Sequence, residues 1–253
     1  MAELQALLFD VDGTLADTER DGHRVAFNMA FEEAGLDWDW SESLYGDLLA
    51  VTGGKERIRY YLEKFNTEFK KPENFDDFVK GLHEAKTKFY TQLLSEGKIP
   101  LRTGVERLIK EARDAGTRMA VVTTTTPANV TALLENTLGP DSESWFEVIA
   151  AGDIVPAKKP APDIYHWALE KMNLKPEETI AFEDSANGIR SSVGAQVKTI
   201  VTINEYTKDD DFSDAVVVLD HMGEPENTFK VLSGETLGQG YLDLNLVKEI
   251  AKA

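Results

Sequence analysis

The stretch Leu4–Leu15, LQALLFDVDGTL, decides the fold class because it joins a predicted buried strand to two carboxylates. Its first half, Leu4–Phe9, is an apolar run of the kind that forms a strand covered on both faces. Side chains alternate along an extended chain, so Asp10 and Asp12 are predicted to point in the same direction. Gly13 then permits a sharp change of chain direction. Ligand sites in open parallel sheets lie beyond the carboxyl ends of the strands, and this pair of acids therefore predicts such a site.

Short apolar runs alternate with helical patterns in the rest of the chain, which is typical of βαβ units. Five further strands are predicted, at Arg118–Val122, Val148–Ala151, Ile180–Phe182, Lys198–Val201 and Ala215–Leu219. Helices are predicted at Val105–Ala115, Ala128–Asn136, Pro162–Met172, Gly188–Gly194 and Tyr241–Lys252. The sequence therefore predicts an α/β fold with a Rossmann-like parallel sheet.

Residues 18–97 interrupt this alternation, because their apolar residues recur at the spacing of a helix. Gly35 and Gly97 are predicted helix stops, and Pro72 is a predicted helix start. We therefore expect an all-helical insertion directly after the first strand. The predicted domains are an α/β core of residues 1–17 and 98–221, a helical cap of residues 18–97, and a C-terminal extension of residues 222–253 whose final helix packs on the core.

The chain of 253 residues has a net charge of −18. When successive blocks of about fifty residues are compared, bases exceed acids only in residues 51–100, with 10 against 8. Such a charge repels nucleic acid and anionic membranes, so neither is an expected partner. Cysteine is absent, which excludes disulfides, Cys-ligated zinc and iron–sulfur clusters. An acidic residue precedes the first apolar run and no basic segment does, so we expect no secretory signal and a cytoplasmic location.

Polar side chains also follow or flank the later strands. Thr123 follows the second strand, and Lys158 and Lys159 stand just before a predicted helix. Glu183 and Asp184 follow the fourth strand as a second pair of acids. Carboxylates crowded together disfavour each other unless a cation lies between them. Oxygen ligands without Cys or His favour Mg²⁺, so the sequence predicts a magnesium site with a phosphate-sized pocket beside it.

Four segments together resemble the haloacid-dehalogenase-like phosphatase superfamily in their order and spacing. They are DVDGTL at 10–15, the strand end at Thr123, KKPAPD at 158–163 and FEDSANGI at 182–189. The resemblance covers residues 4–221 and implies a HAD-like core. The helical insertion is similar to the cap of those members that act on small phosphorylated metabolites.

The resemblance implies a role for each motif residue. Asp10 would attack phosphorus to form an aspartyl-phosphate, and Asp12 would act as general acid and then as general base. Thr123 and Lys159 would hold the phosphoryl oxygens, with Lys158 as the alternative to Lys159. The implied ligands of Mg²⁺ are Asp10, the main-chain carbonyl of Asp12, Glu183 and Asp184.

Within the cap, the segment 53–57 (GGKER) resembles the CbbY-like sugar phosphatases, together with DTERDGHR at 17–24 and PLRTGV at 100–105. Amides at a helix start can bind an anion, and Lys55 and Arg57 add positive charge. The resemblance implies a pentulose bisphosphate substrate, such as xylulose-1,5-bisphosphate, whose distal phosphate binds this segment. Apart from the resemblance, the sequence favours the interpretation that the two bases belong to a solvated helix face. The implied substrate-binding residues are Glu19, His23, Gly53, Gly54, Lys55, Arg57 and Thr124.

Two alternatives remain open on the sequence alone. A sugar-phosphate mutase of the β-phosphoglucomutase type shares all four motifs, although the segment from Asp17 to His23 is one residue longer here than in such mutases. A non-catalytic binding protein on the same fold would be expected to have lost some of the motifs. We expect a monomeric enzyme of the bacterial cytoplasm or, in a photosynthetic eukaryote, of the plastid stroma.

Overall fold

A seven-stranded sheet organises the larger part of the computed structural model, which describes residues 3–51 and 53–252. The strands are β1 (Ala6–Phe9), β2 (Arg118–Val122), β3 (Val148–Ala150), β4 (Thr179–Glu183), β5 (Lys198–Thr202), β6 (Val217–Leu219) and β7 (Val231–Gly234). Their order across the sheet is β3-β2-β1-β4-β5-β6-β7, and β1 to β6 run parallel. The predicted α/β fold with a parallel sheet is confirmed, and the six predicted strands lie within two residues of the observed ones.

Among the strands of residues 3–51 and 53–252, β7 is the one that the sequence pattern did not predict. It runs antiparallel to β6, and all four of its residues are exposed. Prediction from hydrophobic patterning depends on a buried face, and an edge strand without one gives no such signal. By contrast, all four residues of β1 are buried, which is why its apolar run was predictive.

Helices flank this sheet, and the regular secondary structure described in residues 18–51 and 53–99 is helical. They are α1 (Arg24–Glu33), α2 (Glu42–Leu48), α3 (Gly54–Lys64), α4 (Phe75–Ser95), α5 (Val105–Asp114), α6 (Pro127–Leu138), α7 (Asp163–Met172), α8 (Ala186–Gly194) and α9 (Leu244–Lys252), with a π-helical turn at Thr18–His23. α9 begins later than predicted because Asp243 Oδ1 accepts the amide of Leu246 and so caps the first turn. Across 3–51 and 53–252, none of the helices is both long and apolar enough to span a bilayer.

The chain forms two compact units. Residues 1–17 and 100–253 make the first unit, and residues 18–99 make the second, which we call the cap. The C-terminal residues therefore belong to the sheet-containing unit, where α9 packs against α5.

The core of the sheet unit is apolar on both sides of β1. Ala6 and Leu8 pack in a cluster with the buried face of α7, while Leu7 and Phe9 are fully buried on the opposite side. The Phe9 ring stacks on Phe182 of β4 at 4.7 Å between centroids. This packing fixes the ends of β1 and β4 side by side, and those ends carry the motif carboxylates.

Aromatic side chains fill the centre of the cap. Phe27 and Phe31 of α1 pack against Trp40, and Trp40 contacts Tyr61 of α3. Two predictions for this unit were wrong in detail. α4 begins at Phe75 rather than at Pro72, after a short irregular segment. The helical spacing of Phe65 predicts a place in the cap core, but this residue follows the last turn of α3 and is 46% exposed.

Candidate active site

Asp10 lies directly after β1 and is almost completely buried. Its amide donates to the carbonyl of Phe182 at 3.0 Å, so the pairing of β1 with β4 continues to this residue. The chain then turns back at once, because Val11 O accepts the amides of Thr14 and Leu15. Gly13 has a φ of +85°, a conformation that favours glycine. A tight turn thus holds the first carboxylate at the carboxyl end of the central strand.

Lys159 lies between two of the carboxylates. Its Nζ donates to Asp10 Oδ1 and to Glu183 Oε1, both at 2.7 Å, and to the carbonyl of Val122 at 2.8 Å. Burial alone would lower the pKa of Lys159, but the charges of Asp10 and Glu183 raise it above its usual value. Lys158 instead pairs with Asp153 at 2.8 Å on the exposed surface. Of the two candidate lysines, the structure brings Lys159 to the carboxylates.

Glu183 is the last residue of β4 and is fully buried. Its Oε1 accepts from Lys159 and from the Tyr165 hydroxyl, whereas its Oε2 has no hydrogen-bond partner among residues 3–51 and 53–252. Burial raises the pKa of Glu183 to about 7, and Lys159 opposes that increase. Gly188 lies directly against this carboxylate, where an added Cβ would lie 1.9 Å from Oε2. A buried carboxylate oxygen without a partner is costly unless a further group binds it.

Asp184 completes a cluster of three acids. Ligand oxygens of Asp10, Glu183 and Asp184 all lie within 4.8 Å of one another. Burial, and then the charges of Asp10 and Glu183, raise the pKa of Asp184 well above its usual value. Its Oδ2 accepts a hydrogen bond of 2.7 Å from Asn204 Nδ2. Three buried carboxylates beside one ammonium, with one oxygen unpartnered, fit a divalent cation bound by oxygen ligands.

The hydroxyl predicted at the end of β2 is also buried near a strand end. Thr123 donates its amide to Ala150 O at 2.8 Å, and its Oγ1 accepts the amide of Thr125 at 3.2 Å. Thr124 is exposed. Asp12 is partly exposed and forms a bridge with Ala16 on the returning chain.

In the cap, Arg57 is buried and bonded within its own unit. It donates to the Tyr45 hydroxyl at 2.5 Å and lies 3.4 Å from Glu19 Oε2, while the Tyr45 hydroxyl also donates to Glu19. Burial would raise the pKa of Glu19, but the charge of Arg57 and the hydrogen bond from Tyr45 lower it. The structure thus brings Glu19 and Arg57 together as a charge pair. Lys55, two residues earlier in α3, is the exposed base of this segment.

The two predicted glycines have steric roles in the cap. Gly53 has a φ of +99° ahead of α3, and an added Cβ there would meet Glu56 Oε2 at 2.4 Å. An added Cβ on Gly54 would meet His83 at 2.6 Å and Phe27 at 3.2 Å, so α3 packs closely at its start. Thr52, which precedes them, lies outside the described residues.

His23 ends the π-helical turn and contacts Lys86 of α4. Lys86 Nζ lies 2.8 Å from His23 Nδ1, and the imidazole stacks on Tyr90 at 4.1 Å between centroids. Burial, and then the charge of Lys86, lower the pKa of His23 to about 3. A charged lysine can only donate, so Nδ1 is the acceptor and the ring proton is on Nε2. His23 is therefore a neutral donor at ordinary pH.

Three residues of this region were given no role from the sequence. Tyr165 contacts Glu183, Asn204 contacts Asp184, and Arg102 donates to the Gly13 carbonyl and pairs with Asp17 at 3.3 Å. Arg102 stands in the segment 100–105 that supports the resemblance, which was the one available signal. Tyr165 lies on a helix at apolar spacing, and Asn204 lies in an ordinary polar loop, so neither pattern distinguishes them from packing or turn residues.

Comparisons with known proteins agree with this geometry. The family model for haloacid dehalogenase-like hydrolases matches residues 4–195. The chain is similar to Protein CbbY of Cupriavidus necator, with 45% identity over 222 residues, which are 88% of this chain and 87% of that protein. It is also similar to the crystal structure of CbbY from Rhodobacter sphaeroides in complex with phosphate, with a TM-score of 0.74, 45% identity, and coverage of 86% of this chain and 94% of that one.

A second crystal structure of the Rhodobacter sphaeroides protein, an aspartate-to-asparagine variant in complex with xylulose-1,5-bisphosphate, matches with a TM-score of 0.73 and 44% identity over 86% of this chain and 94% of that one. The family match spans most of the chain and includes all four motifs. The chain therefore belongs to the haloacid dehalogenase-like hydrolase family and, within it, to the CbbY-like sugar phosphatases.

Proposed function

We propose that this phosphatase hydrolyses one phosphate ester of a pentulose bisphosphate such as xylulose-1,5-bisphosphate, with Mg²⁺, through an aspartyl-phosphate on Asp10. The observation that carries the proposal is the buried Asp10 carboxylate, which Lys159 holds at 2.7 Å within a cluster of three acids. The substrate follows from similarity to the Rhodobacter sphaeroides CbbY that was crystallised with this bisphosphate.

Asp10 is the proposed nucleophile, and its carboxylate oxygen attacks phosphorus while the ester oxygen leaves. A covalent intermediate divides one difficult displacement into two easier ones. The hydrogen bond from Lys159 fixes the orientation of Asp10 before the attack. The same ammonium is proposed to attract the phosphoryl oxygens, because phosphoryl transfer depends mainly on positioning and charge.

Asp12 is the proposed acid and base. It would give a proton to the leaving sugar oxygen and later take one from the water that hydrolyses the aspartyl-phosphate. The partial exposure of Asp12 allows both exchanges, in contrast to the buried Asp10. Thr123 is proposed to donate to a phosphoryl oxygen through its hydroxyl.

Asp10, Glu183 and Asp184, with the main-chain carbonyl of Asp12, are the proposed holders of Mg²⁺. When bound, the cation supplies positive charge against the repulsion between the nucleophile and the phosphoryl dianion. The unpartnered Oε2 of Glu183 and the proximity of the three acids support this assignment. Lys159 would remain hydrogen-bonded to Glu183. Its positive charge would balance the negative charge of the three carboxylates that the divalent cation leaves uncompensated.

The distal phosphate is proposed to bind residues of the cap, with Lys55 as the principal base. Lys55 is exposed at the start of α3, where main-chain amides also favour an anion. Arg57 contacts Glu19 and Tyr45 inside the cap, so we propose that it supports this segment through them and adds long-range positive charge. His23 would offer its Nε2 proton to a sugar or phosphate oxygen.

The test is to incubate the protein with xylulose-1,5-bisphosphate and Mg²⁺ and to measure both inorganic phosphate and the sugar product. We expect phosphate release to match substrate loss and a pentulose monophosphate to accumulate. An isomeric bisphosphate formed without phosphate release would contradict hydrolysis and support a mutase. Hydrolysis of generic phosphate monoesters with no preference for bisphosphates would contradict the substrate class alone.

A chelation experiment tests the metal. Excess chelator should abolish turnover, and added Mg²⁺ should restore it. Ca²⁺ should not restore turnover, because its larger size and higher coordination number change the positions of the ligands. Full activity in excess chelator would contradict the proposed role of the cation.

A further inference from the structure

We infer that Asn204 is a positioning residue for Asp184, holding that carboxylate in the orientation in which it binds the cation. The inference rests on the proposed function, because it assumes that Asp184 is a metal ligand. Asn204 lies in the loop after β5, twenty positions beyond Asp184 in the chain. None of the four family motifs includes it.

The amide of Asn204 makes two different contacts with its two ends. Nδ2 donates to Asp184 Oδ2 at 2.7 Å. Oδ1 accepts the amide of Tyr206 at 2.9 Å, which closes a turn within the loop. The main chain of Asn204 is fixed as well, because its amide donates to Thr207 Oγ1 at 3.1 Å. The turn thus holds the side chain with its donor end directed at the carboxylate.

Gly13 is packed closely against both atoms of the hydrogen bond between Asn204 and Asp184. An added Cβ on Gly13 would lie 2.1 Å from Asp184 Oδ2 and 2.7 Å from Asn204 Nδ2. The turn that follows Asp10 therefore lies close to both the carboxylate oxygen of Asp184 and the amide nitrogen of Asn204. One oxygen of Asp184 is held in place by a hydrogen bond and by contact with the main chain.

Arg102 joins the same two loops. Its guanidinium donates to the carbonyls of Gly13, Thr202 and Ile203, and its side chain is 9% exposed. The loop after β5 and the turn after β1 are thereby held by one cation. Asn204 directly follows Ile203 in the chain. Its position relative to Asp184 is therefore fixed by the contacts of Arg102 as well as by the loop itself.

A second contact ties the loop to the chain after Asp184. Asp210 Oδ2 accepts the amide of Ala186 at 2.7 Å, at the start of α8. The loop 204–210 therefore contacts the motif 182–189 at two residues, Asp184 and Ala186. Asn204 is nevertheless the residue of this loop that donates to the carboxylate itself.

Hydrogen-bonded partners of metal ligands commonly contribute about 10- to 100-fold to metal affinity, because they fix the ligand's orientation. The variant that isolates this effect is Asn204→Ser. A serine hydroxyl can still accept the amide two residues on and keep the turn, but it is too short to reach Asp184. The control is Thr207→Val, which removes the loop bond from the main chain of Asn204 and leaves Nδ2 in place.

Two measurements on the purified full-length protein test the inference. The first is the Mg²⁺ concentration that half-saturates the site without substrate, obtained from the dependence of the unfolding temperature on Mg²⁺ concentration. The second is the Mg²⁺ concentration for half-maximal turnover, with KM measured at saturating Mg²⁺. For N204S we expect both concentrations to rise about 10- to 100-fold, while KM changes less than about threefold. For T207V we expect both concentrations to stay close to those of the wild type.

An N204S protein that needs no more Mg²⁺ than the wild type would overturn the inference, and so would an equal increase in T207V. If N204S does not fold, as judged by its circular dichroism without metal, Asn204→Thr offers the same acceptor and takes its place. Asp184→Ala separates this inference from the proposed function. Loss of the Mg²⁺ response in D184A with an unchanged response in N204S would refute only the role of Asn204. A full response in D184A would refute Asp184 as a ligand.

Discussion

Lys159 Nζ lies 2.7 Å from Asp10 Oδ1, so the proposed nucleophile is paired with a buried ammonium before any substrate arrives. The same nitrogen lies 2.7 Å from Glu183 Oε1. Two of the three buried carboxylates therefore depend on one cation for both orientation and charge balance. This dual dependence makes Lys159 important for stability as well as for turnover.

Lys159→Met should abolish activity and also destabilise the sheet unit. Removing one partner of a buried ion pair leaves an uncompensated charge and typically costs about 3–5 kcal/mol. Urea unfolding of the metal-free protein measures this loss. Mg²⁺ should recover part of it, because the cation would bind the acids that the lysine had paired. Lys158→Met, which changes an exposed pair with Asp153, is the control and should change neither quantity by much.

Asp10→Asn should reduce phosphate release by several orders of magnitude while a bisphosphate still binds. The amide keeps the size of the carboxylate but lacks the charge that attacks phosphorus. Turnover gives the first quantity, and calorimetric titration with the bisphosphate and Mg²⁺ gives the second. Activity within tenfold of the wild type would exclude Asp10 as the nucleophile.

Lys55→Ala should lower kcat/KM for a bisphosphate much more than for a small aryl phosphate, which has no distal phosphate. A hydrogen bond to a charged group contributes roughly 1.5–3 kcal/mol, so the loss on the bisphosphate should be about 10- to 150-fold. Binding energy from a non-reacting group can also assist the reacting centre, so kcat itself should fall. No loss on the bisphosphate would remove Lys55 from the substrate site.

Arg57→Ala is the informative contrast to Lys55→Ala. Its removal leaves Glu19 and the Tyr45 hydroxyl without their guanidinium partner inside the cap. We therefore expect Arg57→Ala to impair both substrates and to lower the stability of the protein, whereas Lys55→Ala should leave stability unchanged.

Acid should destabilise the protein through His23. The unfolded chain binds a proton on this residue near pH 6.5, whereas the folded protein does so only at about pH 3. Burial and the charges of Lys86, Arg57 and His83 oppose protonation, and Glu19 favours it. Protons therefore favour the unfolded state, and stability should fall as the pH drops below about 6.5, by at most about 1.4 kcal/mol per pH unit from this residue.

Urea unfolding at pH 7 and pH 5.5 measures that slope in the wild type and in His23→Gln, which cannot be protonated. The slope should be smaller in the variant. An unchanged slope would show that His23 is protonated equally in the folded and unfolded protein. His83→Gln reports the separate share of His83, whose pKa is also lowered, first by burial and then by Lys86.

The sequence was sufficient for the strands that are buried on both faces and for the polar residues at their ends. β1 and β4 gave continuous apolar runs, and Asp10 and Glu183 follow from where those runs stop. The choice of Lys159 over Lys158 followed from the family resemblance and not from the pattern, because adjacent lysines carry the same local signal. Only the fold shows that one points to Asp10 and the other to Asp153.

The remaining features depend on contacts between distant parts of the chain. Tyr165 meets Glu183 because α7 covers the sheet beside β4, and a tyrosine at apolar helical spacing is predicted simply as core. Asn204 meets Asp184 only after β4 and β5 pair. β7 joins the sheet through main-chain pairing with no buried side chain, so hydrophobic patterning had nothing to detect.

The two chain segments that lead into and out of the insertion contact each other within the sheet unit. Ala16 bridges Leu101, the amide of Arg102 donates to Leu15 O at 2.8 Å, and Arg102 pairs with Asp17. Because this junction is closed, the entropic cost of closing the loop that the insertion forms increases by only about 0.6 kcal/mol for each doubling of its length. We therefore expect that the inserted segment can be exchanged or enlarged while the acids of the sheet stay in register. If the cap binds the distal part of the substrate as proposed, a cap grafted at this junction would change the substrate preference and leave the chemistry at Asp10 unchanged.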